Sequence, residues 1–529
     1  MPPELGPDSI AVLSGPTFMY SDSVGDVPAG SIGGLVHLDT RLLSGWLLTV
    51  NGGRLLVLRS QTLQHYSAQF VLTNPDLPGL PTDSIGLRRL RYIGDGFHER
   101  IELVSFRTEP VGIEIRLAVE ADFADLFEVK SGVRDRSARI DRRRNVGGAA
   151  LVFAYANGDF TAETSVLTSI PPDRVEGDDL IWQLDLAPRQ RWQLDLHVPL
   201  PPGLGVVEPV RGDIAEVIHG RVDDPLRRWV DNRALVRSDN PMLERVLGRS
   251  REDLGALRLD MEIKGQQVML PGAGLPWFLT VFGRDTLITA YQTLVAGPAL
   301  ARGALLALAR LQGTRCDEFT DEEPGKILHE FRSGELTRTG VKPYNPNYGT
   351  ADATQLWLIL LSEYWRWTRD DDTVRHLRDN ALAALRWIDS YGDRDGDGYV
   401  EYGTRSPEAW ETSAGETHRT ACASPTARSR SCRSPRATCR ATRTTPRCGW
   451  RSWRTDRWTI RPSPCGYAQM PPHCSNGSTA TSGSRNAAAT TRWASTGTRT
   501  GSTRRPRTWV TCCGAASSRR IGPNRWCGS

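Results

Sequence analysis

The sequence predicts a multidomain chain, β then α: an N-terminal antiparallel β-sandwich, a helical region after it, and a disordered C-terminal tail. Three observations carry that reading. Apolar and polar residues alternate through residues 1–205, apolar residues recur at helical spacing between about 225 and 391, and neither period survives past 408. The chain has 529 residues, and at roughly 100–200 residues per domain that length predicts two to four domains.

The β reading rests on two strands above all. Ile113, Ile115, Leu117, Val119 and Ala121 alternate with Glu114, Arg116, Glu120 and Asp122, the period of a strand with one apolar face. Trp192, Leu194, Leu196 and Val198 alternate with Gln193, Asp195 and His197 in the same way. Asn51-Gly52-Gly53 between apolar runs predicts a hairpin. Many short strands between turn residues predict a sandwich, and Pro201-Pro202-Gly203 ends it. In the helical region Val374, Leu377, Ala381, Leu385 and Ile388 form one stripe. Ala299–Leu311 predicts an Ala/Leu-rich helix ended by Gly313, and the apolar run Leu356–Trp367 a helix buried on several sides.

The net charge of +5 hides a division. Residues 411–529 hold 21 arginines, no lysine and three acids (Glu411, Glu416, Asp456), a net charge of +18, which leaves −13 for residues 1–410. Nine of the ten cysteines lie in that tail, and only Cys316 lies before it. The tail also lacks Leu and Phe, so it cannot bury enough apolar surface to offset its chain entropy. One unpaired thiol in the body predicts a reducing compartment. The start, Met-Pro-Pro-Glu-Leu-Gly-Pro-Asp, has no basic or apolar signal region. No apolar run reaches the roughly 20 residues of a membrane helix. The expectation is a soluble cytoplasmic protein with no membrane partner, no cofactor and no metal. Arginines of the tail can neutralise phosphates, yet its six scattered Trp and unpaired cysteine spacings give no nucleic-acid motif. Nucleic acid is therefore not an expected partner.

Four clusters can carry chemistry, each with a plainer alternative. Pro276-Trp277-Phe278 leads into Phe282-Gly283-Arg284-Asp285. Aromatic faces stack on pyranose rings while Arg and Asp hydrogen-bond hydroxyls; the alternative is a helix start with a local Arg284–Asp285 ion pair. His329-Glu330, with Arg332 and Glu335, can hold a sugar hydroxyl or orient an acid; the alternative is a solvated surface strip. No second His follows at zinc spacing. Tyr344, Tyr348, Thr350 and Asp352 precede the apolar helix, where Asp352 or Thr350 can cap it or contact sugar. Asp393-Arg394-Asp395-Gly396-Asp397-Gly398 starts like a calcium loop, but position twelve is Thr404 rather than Glu, which favours a turn.

These residues resemble bacterial amylo-α-1,6-glucosidases, glycogen-debranching-type glycoside hydrolases. Asp39-Thr40-Arg41-Leu42-Leu43-Ser44 is similar to a signature of their N-terminal sandwich. Leu275-Pro276-Trp277-Phe278, Phe282-Gly283-Arg284-Asp285, His329-Glu330 and Tyr348-Gly349-Thr350-Ala351-Asp352 are similar to successive loops of their (α/α) barrel, a barrel shared with mannosylglycerate-hydrolase-like enzymes. The resemblance spans about residues 14–408. It implies a glycogen-debranching-type sandwich over 1–205, a connection over 206–240, and a truncated (α/α)6 toroid over 241–408. It implies Trp277, Phe278, Arg284, Asp285, His329, Glu330 and Asp352 as substrate-binding residues, with an α-glucan or other glycoside as partner.

The family continues with a loop of the form Asn-Gln-x-Trp-x-Asp-Ser that is taken to supply the general acid. After Glu408 this chain has Ala409-Trp410-Glu411-Thr412-Ser413 instead. Read one nucleotide upstream, each new codon takes the last base of one residue and the first two of the next. Trp410 then Glu411 forces glycine, Glu411–Thr412 and Glu416–Thr417 each give Asn or Asp, and Ala414–Gly415 permits Trp. The stretch can then read Gly-Leu-Gly-Asn-Gln-Arg-Trp-Gly-Asp-Ser. His473–Cys474 and Cys512–Cys513 each force leucine. Residues 409–529 thus read as out of frame, which also explains the missing Leu and Lys. Hydrolysis by two carboxylates needs one to protonate the leaving oxygen. No catalytic residue is therefore assigned, and the chain as written is expected to be inactive; the alternatives are a residual carbohydrate-binding protein, a mannosylglycerate-hydrolase-like small-glycoside hydrolase and nucleic-acid binding through the Arg-rich tail. Truncation is also expected to leave apolar faces such as Leu356–Leu361 without partners.

Overall fold

The computed structural model describes residues 8–133, 137–146, 149–200, 237–263 and 266–393, with a few isolated positions outside these spans. The Pro201-Pro202-Gly203 stop, most of the 206–240 connection, residues 394–399 of the calcium-like turn and nearly all of 409–529 lie outside the described residues. In the tail Thr412–Ser413 pairs with Glu416–Thr417 as a short antiparallel ladder.

The first region alternates as its sequence does. Its strands are β1 (Ile10–Ser14), β2 (Thr17–Ser21), β3 (Gly34–His37), β4 (Thr40–Leu43), β5 (Gly45–Val50), β6 (Leu56–Gln64), β7 (Ser67–Thr73) and β8 (Ile85–Ile93). There follow β9 (Gly96–Ser105), β10 (Val111–Glu120), helix α1 (Leu126–Ser131), β11 (Ile140–Val146), β12 (Ala149–Asn157), β13 (Phe160–Thr168), β14 (Arg174–Glu176), β15 (Asp179–Leu186) and β16 (Arg191–Pro199). They form an eight-stranded sheet, β11-β12-β13-β16-β9-β8-β7-β6, and two four-stranded sheets, β14-β15-β10-β5 and β1-β2-β3-β4. Ile113, Ile115, Leu117 and Val119 from β10 and Leu194, Leu196 and Val198 from β16 meet in one core with Trp46 and Trp182. The large sheet and the β10 sheet thus pack face to face, the layer arrangement that one apolar face per strand demands.

The Asn51-Gly52-Gly53 turn forms, but not a hairpin. Asn51 and Gly52 take φ of 46° and 75°, and Val50 and Gly53 exchange backbone hydrogen bonds of 2.9 Å. The flanking strands then part, β5 to one sheet and β6 to the other. The turn chemistry was legible; the partner of each strand was not, because pairing is decided by tertiary packing.

Alternation also conceals a buried ionic cluster. Arg89 and Arg91 of β8 point inward with Glu99 of β9 and Asp26, and all are at most 1% exposed. Arg89 pairs with Asp26 at 2.6 Å and Glu99 at 2.9 Å, and Arg91 with Glu99 at 2.5 Å. Trp46 Nε1 donates to Glu99 at 3.2 Å. Charges this deep are tolerated only when paired and hydrogen-bonded.

The second region starts with α2 (Pro241–Ala256), capped by the Asn240 side chain. An unexpected hairpin follows, β17 (Arg258–Ile263) on β18 (Gln266–Pro271). Next come β19 (Val281–Phe282), α3 (Gly283–Gln292), α4 (Ala299–Arg310), β20 (Glu330–Phe331), α5 (Glu335–Arg338), α6 (Ala353–Thr368), α7 (Asp371–His376) and α8 (Arg378–Ser390). The expected single stripe from Val374 to Ile388 is two helices that meet at Leu377. Helix α6 is buried on several sides, as its composition predicts. Trp357, Leu358, Leu360 and Leu361 lie in a core with α3, α4 and α8, so the Leu356–Leu361 face keeps its partners, contrary to expectation. Leu13, Phe18, Val36 and Leu126 of the sheet region join that same core. Among the described residues no helix is long and apolar enough to cross a membrane.

Candidate functional site

The site begins where β19 pairs with β20, Val281 opposite Phe331 and Phe282 opposite Glu330. That pairing sets the start of α3 beside the His329-Glu330 segment. Gly283 is required there: a Cβ would stand 2.0 Å from the Leu328 carbonyl oxygen. The Gly283 amide donates to the His329 carbonyl at 2.8 Å. Arg284 and Asp285 follow on the first turn of α3.

The expected Arg284–Asp285 ion pair is not formed. Arg284 Nη1 instead reaches Asp352 Oδ2 at 3.3 Å. Asp352 occupies the N-cap position of α6 without a side-chain cap bond; its other oxygen accepts from Thr350 Oγ1 at 2.6 Å. The plain capping reading is thereby corrected. Asp285 has no hydrogen-bond partner among the described residues.

His329 and Glu330 are 6% and 7% exposed, so they are no solvated surface strip. Glu330 opens β20 and His329 directly precedes it; Arg332 satisfies Glu330, its Nε donating to Glu330 Oε1 at 2.5 Å. Arg332 Nη1 donates to Asp39 at 2.8 Å and Nη2 to the Trp277 carbonyl at 2.7 Å. The guanidinium lies 5.3 Å from the Phe127 ring centre and 5.5 Å from that of Phe282, a desolvated cation–π setting. Phe282 also stands edge-on to His329 at 5.9 Å and to Phe278 at 5.9 Å. Phe278 is 46% exposed, whereas Trp277 is partly buried against the helical core. Lys130 of α1 sits over both rings, 5.9 Å from Trp277 and 5.8 Å from Phe278.

Electrostatics tie the group together. Burial pushes the His329 imidazole down to about 4; the Arg284 guanidinium acts the same way, against Asp352 and Asp285. His329 is therefore neutral near pH 7, and its Nδ1 has no hydrogen-bond partner among the described residues. Burial pushes the Glu330 carboxyl up, with Arg332 opposing and Asp39 and Asp285 reinforcing the rise. The seven expected residues thus form one group around the β19–β20 junction, which Asp285 joins only through its charge. It offers an aromatic face, a guanidinium, carboxylates and a neutral imidazole, a set suited to hydroxyl groups rather than to a metal. Among the described residues no cluster suits a metal ion. A separate cavity of about 860 Å³ lies between the end of α4, Gly325 and α8, and none of the seven residues lines it.

Two contributors escaped the sequence reading. Asp39 stood out only as part of a signature, and Lys130 carried no signal, since it lies on a short helix of the other domain. Solved structures with a related chain course include a protein assigned as a kojibiose phosphorylase from the human microbiome. It is 9% identical with a TM-score of 0.47, over 75% of this chain and 59% of that one. A bacterial glucoamylase complexed with acarbose is 8% identical with a TM-score of 0.38, over 75% of this chain and 69% of that one. The chain thus spans less than two thirds of the phosphorylase-like protein. No curated protein matches the chain. Residues 12–197, the antiparallel sheet region, match the N-terminal domain of (some) glycogen debranching enzymes.

Proposed function

We propose that this chain derives from a glycoside hydrolase of the amylo-α-1,6-glucosidase, glycogen-debranching type, acting on α-glucans, and that it is inactive as written. The debranching-type sheet region over residues 12–197 supports the lineage. In this reading the helices after residue 241 are the first part of an (α/α)6 toroid. Trp277 and Phe278 stack on a sugar ring, Arg284, Asp285 and Asp352 bind hydroxyls, and His329 and Glu330 close the subsite. The single observation that carries the reading is the convergence of Arg284, Asp352, His329 and Glu330 at the β19–β20 junction.

Hydrolysis needs a positioned acid to protonate the glycosidic oxygen and, in an inverting enzyme, a second carboxylate about 6.5–9.5 Å away to activate water. The acid-bearing loop is the one that the shifted frame of residues 409–419 restores. Without it the site binds but does not cleave. A residual carbohydrate-binding protein is thus the second reading, favoured by the intact Arg284–Asp352 pair. The test compares glucose release from a branched limit dextrin by the chain as written and by a version with one base added or removed near codon 408. Release is expected from the restored version alone. Equal release by both would place the acid within residues 1–408 and overturn the reading.

A further inference from the structure

The sheet region and the helical region exchange their most buried polar contacts through one short segment, residues 332–336. Asp39 lies just before β4, with φ of 64°, and is 8% exposed. Its Oδ1 accepts from Arg332 at 2.8 Å and its Oδ2 from the Ser333 amide at 2.9 Å. Asp125 Oδ2 accepts from the Leu336 amide at 3.0 Å. In return Glu335 accepts from Tyr155 Oη and Asn157 Nδ2, each at 2.7 Å. Gly334 lets the backbones close up: a Cβ there would stand 2.2 Å from Asp125 Oδ2. The segment begins directly after β20, whose Glu330 shares Arg332 with Asp39.

We propose that Asp39, a residue of the sheet region, is a positioning residue for the sugar subsite of the helical region, acting through Arg332 on Glu330 and on the Trp277 carbonyl. A guanidinium has a fixed fork of donors. With Nη1 anchored on Asp39, the directions of Nε and Nη2 are set, and with them the places of the Glu330 carboxylate and of the Trp277 backbone. Removing Asp39 frees the fork to rotate and leaves Arg332 with one carboxylate rather than two. The sheet region thus works as the fixed bed of the site rather than as an appended module. The positioning role rests on the sugar-site reading above.

The test uses the full chain and three variants. Asp39→Asn removes the charge of the anchor and one of its two acceptor oxygens, so Arg332 and the Ser333 amide can no longer both be satisfied. Asp122→Asn is the control: it weakens the Arg41–Asp122 pair inside the sheet region and touches nothing on Arg332. Asp285→Ala tests the sugar site itself. Hydrogen exchange is followed by mass spectrometry, and panose binding by calorimetry. Asp39→Asn should speed exchange about tenfold or more in peptides covering 275–285 and 328–333, while peptides of β10 stay protected, and Asp122→Asn should leave 275–285 unchanged. Panose affinity should fall at least tenfold in Asp39→Asn and in Asp285→Ala. Glu330 is faced by Arg332, Asp39, Asp285 and His329, and the Asp39 charge holds its carboxyl up, so loss of that charge should also move the pH profile of binding downward. Unchanged exchange at 275–285 in Asp39→Asn overturns the proposal. If the parent chain does not bind panose, or Asp285→Ala binds it equally, the sugar-site reading fails and the positioning role fails with it; faster exchange would then mark a domain contact only.

Discussion

Asp285 and Arg332 show at the scale of single residues what separates a binding group from a structural one. Arg332 is 4% exposed and satisfies two carboxylates and a carbonyl. Truncating it leaves Asp39 and Glu330 buried as uncompensated like charges, the situation that typically costs about 3–5 kcal/mol. Asp285 is partly exposed and has no partner among the described residues, so its loss breaks nothing in the fold. We expect Arg332→Ala to lower unfolding stability by about that amount and Asp285→Ala to change it by no more than about 0.5 kcal/mol. Urea unfolding followed by tryptophan fluorescence compares the two. A large stability loss in Asp285→Ala would make it a structural acid and remove it from the sugar site. The sequence reading singled out Asp285 and named Arg332 only as a neighbour of His329-Glu330, since a charged residue in a motif looks the same whether it holds the backbone or waits for a ligand.

The same limit holds at the scale of elements. Strand β10 and helix α6 were legible because a period of two and a continuous apolar run each fix a burial pattern without knowledge of the partner. The division at Leu377 was not, because two short helices in line share one stripe; the β17–β18 hairpin was overlooked although Arg258–Ile263 alternates strictly and Lys264-Gly265 separates it from Gln266–Pro271. The clamp at 332–336 was invisible, since its partners Asp39, Asp125, Tyr155 and Asn157 lie far away in sequence. That clamp has a pH signature. Burial pushes the Asp125 carboxyl from 3.8 up to about 7, against the donors Phe127 N and Leu336 N. The folded state therefore holds this proton more tightly than the unfolded one. The contribution is full below about 4 and is lost as pH rises through about 7. Four buried histidines act in the opposite sense. Burial holds His37 and His329 at about 4 and His98 and His197 at about 3. Their contribution is full above 6.5 and is lost as pH falls through those values. The Asp125 effect must therefore be read as a difference. Between pH 5 and 8, Asp125→Asn should gain stability relative to the parent chain, by urea midpoints measured at both pH values. A constant offset between the two proteins would show that Asp125 does not titrate in that range.

At the scale of the whole molecule the two cores divide the chain less cleanly than its composition does. One core is closed by the sheets alone. The other is built on α3, α4, α6 and α8, yet it takes in Leu13, Phe18, Val36 and Leu126 from the sheet region, each at most 7% exposed. The boundary near residue 205 is thus a boundary in secondary structure, and the burial of apolar surface runs across it. A fragment of residues 1–205 keeps the first core whole, with Trp46, Trp182 and the Arg89–Glu99–Asp26 cluster inside it. It should fold on its own and give a strand-dominated circular dichroism spectrum. The same fragment uncovers the four apolar residues together with Asp39, Asp125 and Tyr155, whose partners are gone. An apolar patch ringed by unpaired polar groups favours association. The fragment should therefore self-associate as concentration rises, in sedimentation or light scattering, and Phe18→Ser with Leu126→Ser should return it to a monomer without changing the strand signal. A fragment dominated by helix would refute the independence of the first core. A folded fragment that stays monomeric at all concentrations would show that those four residues do not need the helical region to stay covered.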